Sequence, residues 1–206
     1  MSDCWVFGYG SLMWRPGFKF QDVVPARLEG AHRSLCVYSV NHRGTRRFPG
    51  LVFGLDISGS CDGLAFQVPE DLWQATTAYL RAREQVTRVY NHAMKPIVLL
   101  DGSGKTVKAL TYLVNRRHQQ YAGCLPISLQ ADIVRRARGK SGRNMDYVLN
   151  TILHLRELGI RDVRLKRLTL ALGSRHLFSA RRSLKSEDKD RQLSQRRDYV
   201  EEIGND

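Results

Sequence analysis

The sequence has no Cys-x-x-Cys pair, no apolar run approaching the roughly 18 residues that a membrane helix requires, and no basic start leading into an apolar signal core. The last two absences exclude a membrane helix and predict a cytoplasmic protein with no membrane partner. The cysteines Cys4, Cys36, Cys61 and Cys124 are widely spaced, which argues against zinc and against a disulfide framework and predicts reduced, buried thiols. His32, His42, His92, His118, His154 and His176 show no ligand spacing with cysteine or acid, so no metal site is expected. Acidic residues are scarce, 20 against 33 Lys and Arg, for a net charge of +13. Residues 181–206 are nearly balanced in charge, so the excess lies on the part that folds. Such a surface attracts anions in general and selects among none of them.

What is present is organised around Val6-Phe7-Gly8-Tyr9-Gly10-Ser11-Leu12-Met13-Trp14-Arg15-Pro16. Trp5, Val6 and Phe7 read as a buried strand, and two glycines free the backbone where it ends. Glycines at alternate positions remove the Cβ atoms that would hold a substrate away from the main chain, so amide N–H groups can face an anion or a developing oxyanion. Taken alone, so short a pattern is better explained by a strand bending into a turn.

Ala26 to Tyr38 reads as one long or two short strands broken near Gly30, and Asn41 to Gly50 as a polar, glycine-flanked loop of the kind that often carries function. Leu51 to Leu55 and Gly63 to Val68 read as an antiparallel pair around a Ser58-Gly59-Ser60 turn. Pro69, Glu70 and Asp71 open a helix whose inner face carries Leu72, Ala75, Thr76, Tyr79, Leu80 and Arg83, with Glu84 at its edge. Pro96 to Leu100 and Val107 to Val114 flank Asp101-Gly102-Ser103-Gly104, a hairpin turn rather than a phosphate loop, since the first glycine of that motif is missing. Helices follow: one marked by Leu129, Ile133 and Ala137, one from Tyr147 to Leu158 closed by Gly159, and a third capped by Asp162, where a strand is the alternative. The basic cluster Arg135, Arg136, Arg138, Lys140 and Arg143 reads as a solvated helix face, with a nucleic-acid patch as the sharper alternative. Six strand candidates precede the helices, which predicts an α+β fold: a small mixed or antiparallel β-barrel, closed or nearly so, with flanking helices. Residues 1–180 form that domain, and 181–206 are expected to be a charged, disordered tail.

Three stretches together resemble one family. Phe7-Gly8-Tyr9-Gly10-Ser11-Leu12-Met13-Trp14 is similar to the opening of the ChaC-type γ-glutamylcyclotransferases, which act on glutathione; His42-Arg43-Gly44-Thr45 with Pro49-Gly50 resembles their next loop; and Tyr79-Leu80-Arg81-Ala82-Arg83-Glu84 resembles the helix end that bears their catalytic glutamate. Tyr121 to Pro126, Ser141 to Tyr147 and Leu158 to Asp162 continue the likeness in order, over roughly residues 4–170. After Glu84 the chain departs from the family: of two glycines and a tyrosine it keeps only Tyr90.

The resemblance implies a lyase that converts glutathione to 5-oxoproline and cysteinylglycine without a cofactor. Glu84 would move the proton; its alternative is a helix-surface carboxylate paired with Arg81 or Arg88. Gly8, Tyr9, Gly10, Ser11, Leu12 and Met13 would cradle the γ-glutamyl group, with Arg43 and Tyr147 hydrogen-bonding the substrate. Ser11 reads as a binding residue, because no Gly-x-Ser-x-Gly elbow or histidine partner supports a nucleophile. Two rival readings stand beside this one: a basic nucleic-acid-binding protein that reuses the fold, and a cyclotransferase for other γ-glutamyl compounds.

Overall fold

The computed structural model describes residues 4–84 and 88–173. Strand β1 (Cys4–Gly8) leads through a 3-10 turn (Ser11–Met13) to β2 (Asp22–Ser39) and β3 (Gly50–Val68); helix α1 (Trp73–Glu84) follows, then β4 (Tyr90–Leu99) and β5 (Thr106–Val114). The second half holds α2 (Ile127–Arg136), a two-residue hairpin of β6 (Arg138–Gly139) and β7 (Gly142–Arg143), α3 (Asn144–Glu157) and α4 (Val163–Leu172). The five long strands close into a barrel in the order β1-β3-β2-β4-β5. Closure depends on β1, which pairs antiparallel with β3 (Val6 opposite Phe66) and parallel with β5 (Val6 opposite Leu110). The expected small mixed barrel with flanking helices is the observed fold.

Strand alternation makes two cores from one sheet. Trp5, Phe7 and Tyr9 pack with Leu28, Leu55, Ala65, Ile97 and Ala109 in a cluster that draws on all five strands and no helix, which is the barrel interior. Val6, Phe66 and Leu110, on the other face, pack with Leu80, Val148, Leu149, Ile152 and Leu168 of the helices. The aromatic residues of β1 therefore run down the inside, and the turn after Gly8 leaves the barrel at its rim.

Three expectations are corrected. Leu51 to Val68 is one strand rather than a hairpin: Ser58 and Gly59, both at positive φ (82° and 69°), bulge without reversing the chain, and β2 is bulged opposite them at Gly30. Long-range pairing of β3 along β2 outweighs local turn chemistry there. On α1, Thr76 and Leu80 are buried while Ala75 and Tyr79 are exposed, and on α2 Ala131 and Val134 are buried while Leu129 is exposed. Both helices are rotated from the predicted face; α2 packs against α3 and α4 as well as β3. Finally, Cys36 and Cys61 are buried, but Cys4 is half-buried and Cys124 exposed; among the described residues all four are free thiols.

Other expectations hold. The Asp101 turn joins β4 to β5, with Asp101 accepting from the Ser103 amide and hydroxyl. Asp162 caps α4 by accepting from the amides of Arg164 and Leu165, which decides for the helix. Gly159, at φ 70°, closes α3. Arg135 pairs with Asp132 on the surface of α2. Separately, no described helix is long and apolar enough to cross a membrane. The charged segment 181–206 lies outside the described residues.

Candidate active site

The turn after β1 and the end of α1 meet at the barrel rim. Gly10, Ser11 and Leu12 line a small cleft together with Tyr9, Phe53 of β3, Glu84, Tyr90 of β4, Tyr112 of β5 and Tyr147 of α3. A Cβ on Gly10 would have no protein atom within 4 Å, so the open side of that residue faces space that a ligand can fill. The first amides of a helical turn have no acceptor within it, and the turn that begins at Ser11 and Leu12 lines the cleft. The turn is held by Met13 N–H donating to Gly10 C=O (2.9 Å) and Arg15 N–H to Ser11 C=O (2.8 Å).

Two arginines anchor this turn from opposite ends. Arg33, buried on β2, donates to the carbonyls of Tyr9 and Asp62 and reaches Asp162 at 3.3 Å, tying the α4 cap to the start of the cradle. Arg83, next to Glu84, donates to Ser11 Oγ (3.1 Å) and to the carbonyls of Arg15 (2.6 Å) and Pro16 (3.2 Å). Between the anchors, Trp14 stacks on His154 of α3 with ring centroids 4.4 Å apart.

Glu84 is the last residue of α1, and its carboxylate meets Arg83 Nε at 3.1 Å. Burial pushes its carboxyl above the ordinary value, against the pull of the Arg83 cation. A helix C-terminus is also an unfavourable place for negative charge. The carboxylate is thus held as a better base than one in water. The tyrosines around it stay neutral: burial pushes Tyr112 and Tyr147 up to about 12, and Tyr9 and Tyr90 well above the ordinary phenol. Two have fixed bonds: Tyr90 donates to the Phe53 carbonyl (2.8 Å), and the Tyr147 hydroxyl accepts from the Phe53 amide (3.2 Å). Having accepted there, Tyr147 keeps its own proton to donate elsewhere. The Tyr9 hydroxyl makes no hydrogen bond among the described residues.

Of the residues singled out by sequence, Glu84, Tyr9, Gly10, Ser11, Leu12 and Tyr147 come together at the cleft. Three do not reach its wall. Gly8 lies beneath, where a Cβ would crowd Leu12 and Phe66; Met13 is buried in the core against the helices; and Arg43 stands behind Tyr147, its guanidinium 5.3 Å from the ring centre and bonded to the Ser141 carbonyl. The loop containing Arg43 is a brace. Gly44 and Gly50 lie so close that a Cβ on either would collide with the other strand's backbone, and Lys140 and Ser141 donate to the carbonyls of Asn41 and His42. The Glu84 partner is Arg83, not Arg81 or Arg88. Sequence reasoning placed Arg83 on the buried face of α1 and gave it no role; the same spacing that brings it under the loop was the available signal. Phe53 and Tyr112 were likewise read only as strand residues.

The Ser11 oxygen accepts from the Arg83 guanidinium, which carries a permanent charge and cannot itself take the serine proton.

The profile of the ChaC-like protein family matches residues 4–174. The glutathione-specific γ-glutamylcyclotransferase of Escherichia coli (strain K12) is 32% identical over 158 residues, which is 77% of this chain and 68% of that one. Glutathione-specific γ-glutamylcyclotransferase 1 of Homo sapiens is 33% identical over 147 residues, 70% of this chain and 66% of that one, so the match spans about two thirds of each relative's length. A crystal structure of a γ-glutamyl cyclotransferase specific to glutathione from yeast superposes with a TM-score of 0.75 at 21% identity, covering 84% of this chain and 97% of that one, which is a likeness of fold. With the barrel, the glycine turn and the helix-end glutamate all in place, the chain belongs to the ChaC-like protein family.

Proposed function

We propose that the protein is a γ-glutamylcyclotransferase that degrades glutathione to 5-oxoproline and cysteinylglycine, with Glu84 as the proton carrier and the Gly10–Leu12 turn as the cradle. The observation that carries this is the cleft itself: a buried carboxylate facing a glycine turn and ringed by neutral tyrosine hydroxyls. Such a site suits a reaction in which the substrate brings its own nucleophile.

The α-amine of the γ-glutamyl group attacks its own γ-carbonyl, forming the lactam C–N bond, and the bond from that carbon to the cysteinyl nitrogen breaks. Both reacting groups lie on one substituent, so the protein need not bring them together, only fold them into contact. An α-ammonium with a pKa of about 8 is a poor nucleophile at neutral pH until it loses a proton. Glu84 takes that proton. On attack the nitrogen sheds a second, and the departing nitrogen gains both, leaving as the ammonium of cysteinylglycine. In this reading the Ser11 and Leu12 amides, with the Tyr147 hydroxyl, receive charge on the γ-oxygen or hold the α-carboxylate.

Incubating the full chain with glutathione should release 5-oxoproline and cysteinylglycine in equal amounts, and Glu84→Gln should lower the rate about a thousandfold while staying folded. Equal rates in the two proteins would overturn the reading. A panel of γ-glutamyl-alanine against glutathione measures how much of the recognition depends on the cysteinyl side.

A further inference from the structure

Arg83 makes more contacts in this region than a helix-surface arginine needs. Its Nε lies 3.1 Å from Glu84 Oε1; Nη2 donates to Ser11 Oγ at 3.1 Å; and Nη1 donates to the carbonyls of Arg15 (2.6 Å) and Pro16 (3.2 Å) and to Tyr79 Oη (3.1 Å). Every nitrogen of one planar group is engaged, and the partners divide into two sets. One lies on α1 itself: the Glu84 carboxylate and the Tyr79 hydroxyl. The other is the turn that begins at Ser11, 72 positions before Arg83.

We infer that Arg83 is a positioning residue, a rigid spacer that fixes the Glu84 carboxylate relative to the Ser11–Pro16 turn. A guanidinium presents its donors in a fixed plane and loses little freedom per bond made, whereas a lysine ammonium offers a point charge on a flexible stem. The side chain is only partly exposed, so water does not replace these bonds without loss. By accepting from Nη2, Ser11 Oγ is left with its own proton to present at the cleft wall. Arg83 thereby sets two things: where the base stands, and which way the serine hydroxyl donates.

This inference rests on the reading of Glu84 as proton carrier. Among the described residues, the titratable and charged groups facing that carboxylate are Tyr9 from the turn, Tyr90 from β4, Tyr112 from β5, Tyr147 from α3 and Arg83 itself, and the tyrosines are neutral throughout the range of an assay. A change in the acid limb of activity therefore reports on the Arg83–Glu84 pair. Removing the cation raises the carboxyl further, so the base form is lost at a higher pH and the limb moves up.

The test compares Arg83→Ala, Arg83→Lys and Glu84→Gln in the full chain. In Arg83→Ala, kcat should fall about a hundredfold with KM for glutathione within about threefold, the acid limb of kcat/KM should move to higher pH, and added guanidinium ion should restore part of kcat. Arg83→Lys should keep the limb near its native position yet lose kcat, because the charge remains and the fork does not. Native kcat in Arg83→Lys, or an unmoved limb and no rescue in a folded Arg83→Ala, overturns the inference. If Arg83→Ala does not fold, Arg83→Lys decides alone: lowered kcat with the limb in place supports the spacer, and native kcat overturns it. Native activity in Glu84→Gln removes the underlying reading instead, so the two failures are distinguishable.

Discussion

Asn144 grips both backbone polar atoms of Leu51. Its Nδ2 donates to the Leu51 carbonyl at 2.7 Å and its Oδ1 accepts from the Leu51 amide at 2.7 Å, both in a buried setting. Asn144 is the first residue of α3, and Tyr147 stands one turn on against Phe53. One side-chain amide therefore registers a helix on a strand and, with it, a tyrosine on the cleft. Asn144→Leu keeps the volume and removes both bonds, leaving a buried N–H and C=O unmet; unfolding in urea should show a loss of about 3 kcal/mol. The activity of the surviving folded protein should also fall, as Tyr147 loses its fixed position.

Gly10→Ala tests the cradle. Its methyl would enter the cleft and touch no protein atom, so the melting temperature should hold while kcat/KM for glutathione drops about tenfold to a hundredfold, the loss that a displacement of about 1 Å produces. A melting curve and a progress curve on the same sample check both halves. Unchanged kcat/KM would mean that the substrate does not approach the chain at Gly10.

The raised carboxyl of Glu84 predicts how stability varies with pH. Its folded value lies above its unfolded one, so whatever the protonated group contributes is fully present below the ordinary carboxylate range and is lost as pH rises through the folded value. Glu84→Gln should then match the native chain at low pH and melt at a higher temperature at pH 7 and above, where the native chain must hold a buried charge. A variant that is both inactive and more stable is the pattern of a site bought at the expense of the fold.

Asp56 has the opposite sign. Burial pushes its carboxyl up, but Arg116 (2.6 Å), the Tyr121 hydroxyl (2.8 Å) and the Ile57 amide (2.9 Å) outweigh that and hold it below the ordinary value. Its contribution is present above the unfolded carboxylate value and is lost as pH falls through the folded one. Asp56→Asn should therefore melt below the native chain at pH 7 and converge with it in acid, with no change in kcat beyond the folded fraction, since Asp56 is not part of the cleft.

How much of this was legible in the sequence differs from residue to residue for physical reasons. Local chemistry makes the glycine turn after β1 and the helix end at Glu84 legible as structure, but taken alone they read as a bend and a surface carboxylate, and it is the resemblance over several ordered stretches that singles them out as a site. For Arg83 the helical spacing shows the face but not the role, because two of its partners, at Arg15 and Pro16, are carbonyl oxygens, which every residue possesses and none advertises. Arg43 misled for a related reason. Its loop carries glycines that look like a ligand site but serve the close approach of Gly44 to Gly50. Ser58-Gly59-Ser60 has the composition of a turn, and only the strand paired alongside it makes it a bulge.

The parallel pairing of β1 with β5 has a temporal consequence. Trp5, near the chain's start, cannot settle beside Ala109 until more than a hundred residues have been made, and Tyr147 comes later still. A nascent or truncated chain therefore holds every residue of the cradle without a cleft to put them in. Contacts so distant along the chain form late in folding, after the local hairpins. The capacity to consume substrate should then appear in one step with barrel closure, so that an unfinished chain leaves the surrounding pool untouched.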